Sequence, residues 1–171
     1  MMKVLIFLVT LTNLIYAGES IPVEELHNAH LDDFYFLQAG QDYRLIVRGD
    51  REGNGGNGDI SQVAKRLDGI NILLNREGDH EFVDVVQSLK ELITTGFFIT
   101  CARKNTMNRR LDALNYQFEG NSYIVLNCKR WRRQNLRSQK TLLMHELVYL
   151  AGYDDGNYAL STSLLRFLRN R

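Results

Sequence analysis

Residues 135–155 read NLRSQKTLLMHELVYLAGYDD, and this stretch predicts the helix around which the rest of the chain is arranged. Asn135 is a good helix cap and Gly152 ends helices readily, so we expect a helix over residues 136–151. At about 100° per residue, its apolar side chains share one arc of roughly 120°, which must face the core. These residues are Leu136, Leu143, Met144, Leu147, Leu150 and Ala151. His145 and Tyr149 project from the opposite side, into a second layer or a cleft.

The second half of this helix carries chemically active residues at regular spacing. Residues 145–155 follow the pattern His-Glu-x-x-Tyr-x-x-Gly-x-x-Asp. This pattern resembles the metzincin type of zinc peptidase motif, which reads His-Glu-x-x-His-x-x-Gly-x-x-His/Asp. The resemblance implies a zincin-like active-site helix, zinc as cofactor and a peptide as substrate. It implies that His145 and Asp155 are metal ligands and that Gly152 turns the chain back towards the metal. Glu146 would be the catalytic base that takes a proton from metal-bound water.

One ligand position departs from the motif, because Tyr149 stands where the second histidine is expected. A phenol titrates near pH 10 and ligates metal only when the metal itself deprotonates it. No methionine follows Met144 to form the Met-containing turn of that family. Three hypotheses stay open: an active zinc peptidase, a non-catalytic or weakly active zincin-like relative, and a coincidental match. The sequence favours the second, with Tyr149 as a weak metal-site residue.

The beginning of the chain is typical of a secretory signal peptide. Lys3 precedes an apolar run that ends near a small residue, Ala17, so we expect residues 1–17 to be removed. No later segment is long and apolar enough to cross a membrane. The remaining residues, 18–171, suit one domain that is secreted or periplasmic. The chain also resembles uncharacterised exported proteins of predatory Gram-negative bacteria, which implies a compartment more than a reaction.

Cys101 and Cys128 are the two cysteines of the chain. In an exported protein, such a pair favours a disulfide over two buried free thiols.

Charge is divided unevenly along the chain. Residues 18–100 carry 15 acidic and 7 basic groups, a net charge of −8, whereas residues 101–171 carry 5 acidic and 13 basic groups, a net charge of +8. The two halves either attract each other within one fold or form an interaction surface. Residues 129–140 contain six basic groups and Trp131, which suits binding of an anionic envelope polymer by charge and stacking, or simply a solvated face. Nucleic acid is not an expected partner.

The remaining segments indicate the fold class. Apolar spacing predicts two helices that are capped by Asp59 and Asp79, and the second of them ends at Gly96. Strands are expected at 43–47, 97–101 and 121–128, and a flexible loop at 51–59. His27 and His30 lie three residues apart, and we expect them to be exposed to solvent rather than to bind metal. Together these elements predict a single α+β domain that is mainly helical with a small sheet.

Overall fold

A five-stranded mixed sheet forms the centre of the protein, in strand order β2-β1-β3-β5-β4. The computed structural model describes residues 22–30, 34–38, 46–47, 58–76, 82–102 and 111–170. The strands are β1 (Tyr35–Leu37), β2 (Ile46–Val47), β3 (Phe97–Cys101), β4 (Ala113–Phe118) and β5 (Asn121–Leu126). β3 pairs in parallel with β5, and the other pairs are antiparallel. β4 is therefore an edge strand.

Helices cover both faces of this sheet. They are α1 (Val23–His30), α2 (Gly58–Leu74), α3 (Val83–Thr95), α4 (Cys128–Trp131), α5 (Leu136–Leu150) and α6 (Ala159–Arg169). Because successive side chains of a strand point to opposite faces of the sheet, the strands contribute side chains to two separate cores. Ile99 and Ile124 face a core shared with α2, α3, α5 and α6, whereas Tyr123 and Val125 face a smaller aromatic core that includes Leu26 of α1. The predicted α+β class with mainly helical content is confirmed.

Both ends of α5 follow the predicted local chemistry. The Asn135 side chain accepts a hydrogen bond from the Ser138 amide at 2.9 Å, which is an N-terminal cap. Gly152 has a φ of +89°, a conformation that glycine adopts without strain. The amides of Gly152 and Tyr153 bond back to the carbonyls of Tyr149 and Val148, which forms a Schellman end. The prediction that Leu136 faces the core is wrong, because its side chain is 63% exposed.

The other predicted elements agree with the structure in their centres. β3 spans the predicted residues, β5 ends two residues earlier than expected, and Gly96 ends α3 with a φ of +93°. Asp59 lies inside the first turn of α2 and not at the predicted cap position, and both its oxygens accept from Nε of Arg132. Four predicted features lie outside the described residues: the leader at 1–17, the cap Asp79, residues 43–45 of the strand and residues 51–57 of the loop. Among the described helices, none combines the length and apolarity that a membrane span requires.

The disulfide prediction is confirmed. The sulfur atoms of Cys101, at the end of β3, and Cys128, at the start of α4, are at bonding distance, and their Cα atoms lie 5.5 Å apart. The bond ties the end of the parallel strand pair to the segment that leads into α5.

Candidate functional site

His145 and Asp155 converge across the turn that follows α5. Nδ1 of His145 and Oδ2 of Asp155 lie 2.8 Å apart, and the Asp155 side chain is fully buried, while that of His145 is 15% exposed. The bend at Gly152 reverses the chain and brings Asp155 back alongside His145. The two residues that the sequence places ten positions apart are therefore direct partners.

The second oxygen of Asp155 caps the last helix. Oδ1 accepts hydrogen bonds from the amides of Leu160 and Ser161, at 2.7 and 3.1 Å. These amides belong to the first turn of α6, whose unpaired N–H groups favour a carboxylate. Asp155 thus joins the imidazole of α5 to the start of α6, and both its oxygens are occupied.

Two tyrosines enclose the His145 ring. Tyr158 stacks on it with ring centroids 3.9 Å apart, and Tyr149 meets it edge-on at 4.9 Å. Tyr158 and its neighbour Asn157 have φ values of 61° and 56°, a left-handed conformation that is unusual for an aromatic residue. The Tyr149 hydroxyl donates to Oδ1 of Asp154 at 3.2 Å.

Glu146 points away from this cluster, towards the sheet. It is 4% exposed, and Oε2 accepts a hydrogen bond from Nδ2 of Asn115 on β4. Burial raises the pKa of the Glu146 carboxyl, and the Asn115 hydrogen bond and the neighbouring His145 only partly offset that rise. Glu146 is therefore buried against β4 and not exposed to solvent.

The donor atoms around His145 do not suit a zinc ion. Asp155 bonds to Nδ1 of His145, which is how a carboxylate orients a metal-binding histidine rather than how it binds the metal. Partial desolvation and the Asp154 carboxylate raise the pKa of the Tyr149 phenol, so it stays protonated and is a poor ligand. Among the described residues, the one three-donor grouping lies elsewhere, at Asp59, Cys101 and Cys128, and its two sulfurs form the disulfide.

A second candidate site is a groove of about 770 Å³ between α2, α5 and α6, which we call the cationic groove. Among the 15 described residues that line it, seven are basic and none is acidic. The basic residues are Lys65, Arg66, Arg76, Arg137, Lys140, Arg166 and Arg169. Leu73 and Leu165 contribute apolar surface to the lining. Within the described part of the chain, none of the seven cations pairs with a carboxylate.

Buried polar groups position part of the cationic groove. Gln139 is 4% exposed, donates to the Trp131 carbonyl and accepts from Nε of Arg66 at 3.0 Å. Arg76 donates to the Leu168 carbonyl at 3.2 Å, which ties the end of α2 to the end of α6. A Cβ at Gly69, in the middle of α2, would lie 2.8 Å from Nζ of Lys140. The missing side chain of Gly69 thus leaves room for the lysine.

The sequence prediction of a basic interaction surface is only partly related to this groove. From residues 129–140, Arg137 and Lys140 line the groove, whereas Trp131 is 1% exposed and cannot stack on a ligand. Three further cations come from the acidic first half of the chain, and two come from α6, a helix that is absent from the predicted elements. Leucines at residues 160, 164, 165 and 168 have helical spacing that could have revealed α6.

His27 differs from its prediction as well. It is 5% exposed and lies in the aromatic core, with its ring stacked on Phe118 at 4.4 Å and edge-on to Tyr123 at 4.9 Å. The expectation that it is solvent-exposed is wrong. The His30 side chain lies outside the described part of the structure.

Comparisons with known proteins identify no relative. No protein family model matches the chain, and neither a curated protein nor a solved structure matches it.

Proposed function

We propose that this protein binds an anionic partner through the cationic groove and is not a working peptidase. The observation that carries the proposal is the groove lining, which among the described residues contains seven cations and no carboxylate. Like charges held together destabilise a folded state, and a partner with several phosphate or carboxylate groups would relieve that repulsion. A secreted or periplasmic location, which depends on residues 1–17, remains part of the proposal.

The position of Arg137 supports binding over a purely structural role. It lies in the first turn of α5, where the helix dipole favours acidic residues, and that turn contains none. Arg166 and Arg169, in contrast, lie in the last turn of α6, where cations stabilise the helix. Arg137 therefore opposes the stability of its own helix, while it adds to the positive potential of the groove.

Binding of long-chain inorganic polyphosphate tests this proposal. We expect the purified protein to bind it, with an affinity that falls steeply as salt rises. The double substitution Arg137→Gln with Lys140→Gln should weaken binding at least about tenfold. It should also reduce the slope of log affinity against log salt concentration by about two, because each cation that contacts a phosphate releases about one counterion on binding.

The matched control is Lys129→Gln with Arg133→Gln, which removes two exposed cations outside the groove. This control should bind polyphosphate like the unmodified protein. Equal losses in the two double variants would show that net charge, not the groove, determines binding, and the proposal would then fail.

A second proposal follows from the bond between His145 and Asp155: the turn after α5 is the remnant of a zinc peptidase site, and the protein is a non-catalytic zincin-like relative. The bend at Gly152 and the convergence of the two side chains support it. If activity survived, peptide bonds would be the substrate, with zinc as cofactor.

Zinc titration tests this second proposal. Tyr149→His would place a second imidazole edge-on to His145, one turn along the helix, where paired histidines bind zinc. We expect this variant to bind zinc much more tightly than the unmodified protein, and the additional His145→Ala substitution should abolish the gain. No gain in zinc affinity would count against the zincin relationship.

A further inference from the structure

The rim of the cationic groove is apolar as well as charged. Four large apolar side chains of the described residues are exposed: Ile72, Val83, Leu136 and Tyr149. Two of these four, Ile72 and Leu136, line the groove, and they are the most exposed, at 58% and 63%. Leu136 begins α5 directly before Arg137, so one helix end presents an exposed leucine beside an exposed cation.

This combination of chemistry distinguishes between anionic partners. A purely polar polyanion has no group that would cover Ile72 and Leu136, and exposed apolar surface in a charged groove gains nothing from it. An amphiphile complements both kinds of surface, because its phosphate can pair with the cations while its apolar carbon contacts Ile72 and Leu136. Basic residues beside exposed apolar residues are also the combination that holds peripheral proteins to anionic membrane surfaces.

We infer that the partner is a phosphate-bearing membrane lipid, whose headgroup lies among the cations of the groove while Ile72 and Leu136 contact its apolar part. The inference rests on the proposed anion-binding function. The groove volume of about 770 Å³ lies within the range of about 300–1,000 Å³ that is common for small-molecule sites. The protein would dock on the bilayer surface, with the groove facing the membrane.

Vesicle cosedimentation tests the inference. We expect the purified protein to bind vesicles of phosphatidylcholine mixed with phosphatidylglycerol, and not vesicles of phosphatidylcholine alone. Arg137→Gln with Lys140→Gln should reduce partitioning about 25-fold, since each basic residue near an anionic surface contributes about fivefold. Ile72→Ser with Leu136→Ser should reduce partitioning roughly tenfold by removing apolar contact, a larger loss than the same variant shows in polyphosphate binding.

Val83→Ser is the matched control for the apolar variant. Val83 is 56% exposed at the start of α3 and does not line the groove, so this variant should bind vesicles normally. Vesicle binding that is unchanged by Ile72→Ser with Leu136→Ser would overturn the lipid inference.

The two proposals fail in different ways. Binding of polyphosphate without binding of phosphatidylglycerol vesicles would reject the lipid and leave the anion-binding function, with an anionic polymer as its partner. Binding of neither probe would reject both proposals.

Discussion

Asp155 links α5 to α6, because its buried carboxylate bonds to His145 and to two amides at the start of α6. Asp155→Ala should destabilise the protein by about 3 kcal/mol, which combines the loss of a helix cap with that of a charge-assisted hydrogen bond. Asp155→Asn should cost less, since its carbonyl oxygen still accepts from the amides. Urea denaturation measures both.

A double-mutant cycle separates the bond between His145 and Asp155 from the cap. We expect a coupling of about 1–3 kcal/mol between His145→Ala and Asp155→Ala, because they remove the same contact. Effects that add to within about 0.5 kcal/mol would show that the two side chains contribute independently.

Glu146 gives a pH dependence of defined sign. Burial raises the pKa of its carboxyl in the folded protein above the value in the unfolded chain. The folded state therefore holds the proton more tightly, and the stability that Glu146 contributes is complete below the unfolded value and is lost as pH rises through the folded value.

Glu146→Gln should remove this loss while keeping an oxygen for the Asn115 hydrogen bond. The variant should melt at a higher temperature than the unmodified protein at neutral and alkaline pH, and the difference should shrink as pH falls towards the ordinary range of carboxyl groups. Thermal denaturation across a pH series measures it. A difference that stays constant with pH would contradict the shifted carboxyl.

At the level of elements, Gly69 and Gly152 should respond to alanine in opposite ways. Gly69 lies inside α2, where alanine is favoured by about 1 kcal/mol, and the atom it would displace is the flexible end of Lys140. We expect Gly69→Ala to raise the melting temperature by about 2–4 °C and to weaken polyphosphate binding by moving the ammonium group. Gly152→Ala should lower the melting temperature, because the φ of +89° strains any residue with a Cβ.

Elements with strong local signals could be predicted from the sequence, and those defined by tertiary packing could not. Asn135 and Gly152 fix the ends of α5 through bonds to neighbouring residues, so its bounds were nearly right. β4 has the alternation that is typical of a strand, because the apolar residues Leu114, Tyr116 and Phe118 are separated by single polar residues. The burial of Glu146 depends on β4, which lies far from it in sequence.

The candidate sites show the same division. Convergence of His145 and Asp155 follows from a local bend, so the motif could place them together. The cationic groove depends on Arg66, Lys140 and Arg166, which belong to three separate helices. No window of the sequence contains them all, and a charge count by halves assigned Arg66 to the acidic part.

At the scale of the molecule, the disulfide stabilises the junction between the sheet and α5. Cys101 and Cys128 are 27 positions apart, and closing a loop of that length contributes about 3.5 kcal/mol in the chain-entropy model. We expect Cys101→Ser with Cys128→Ser to lower the free energy of unfolding by about this amount in urea. Dithiothreitol added to the denatured protein before refolding should have the same effect on the unmodified chain and none on the variant.

The two halves of the chain do not simply neutralise each other. Arg132 and Asp59 form an ion pair between them, in line with mutual attraction. The cationic groove, however, places Lys65 and Arg76 of the acidic half beside cations of the basic half. Opposite net charges in sequence thus yield one strongly positive surface.

The helices that enclose this surface contribute residues 65–76, 136–141 and 162–170, stretches that meet only once the chain has folded. The unfolded chain does not contain this binding site, so a ligand that binds there stabilises the native state. The gain in the free energy of unfolding grows with the logarithm of the ligand concentration. The melting temperature of the protein therefore reports ligand binding, and a panel of candidate compounds can be ranked by how far each one raises it.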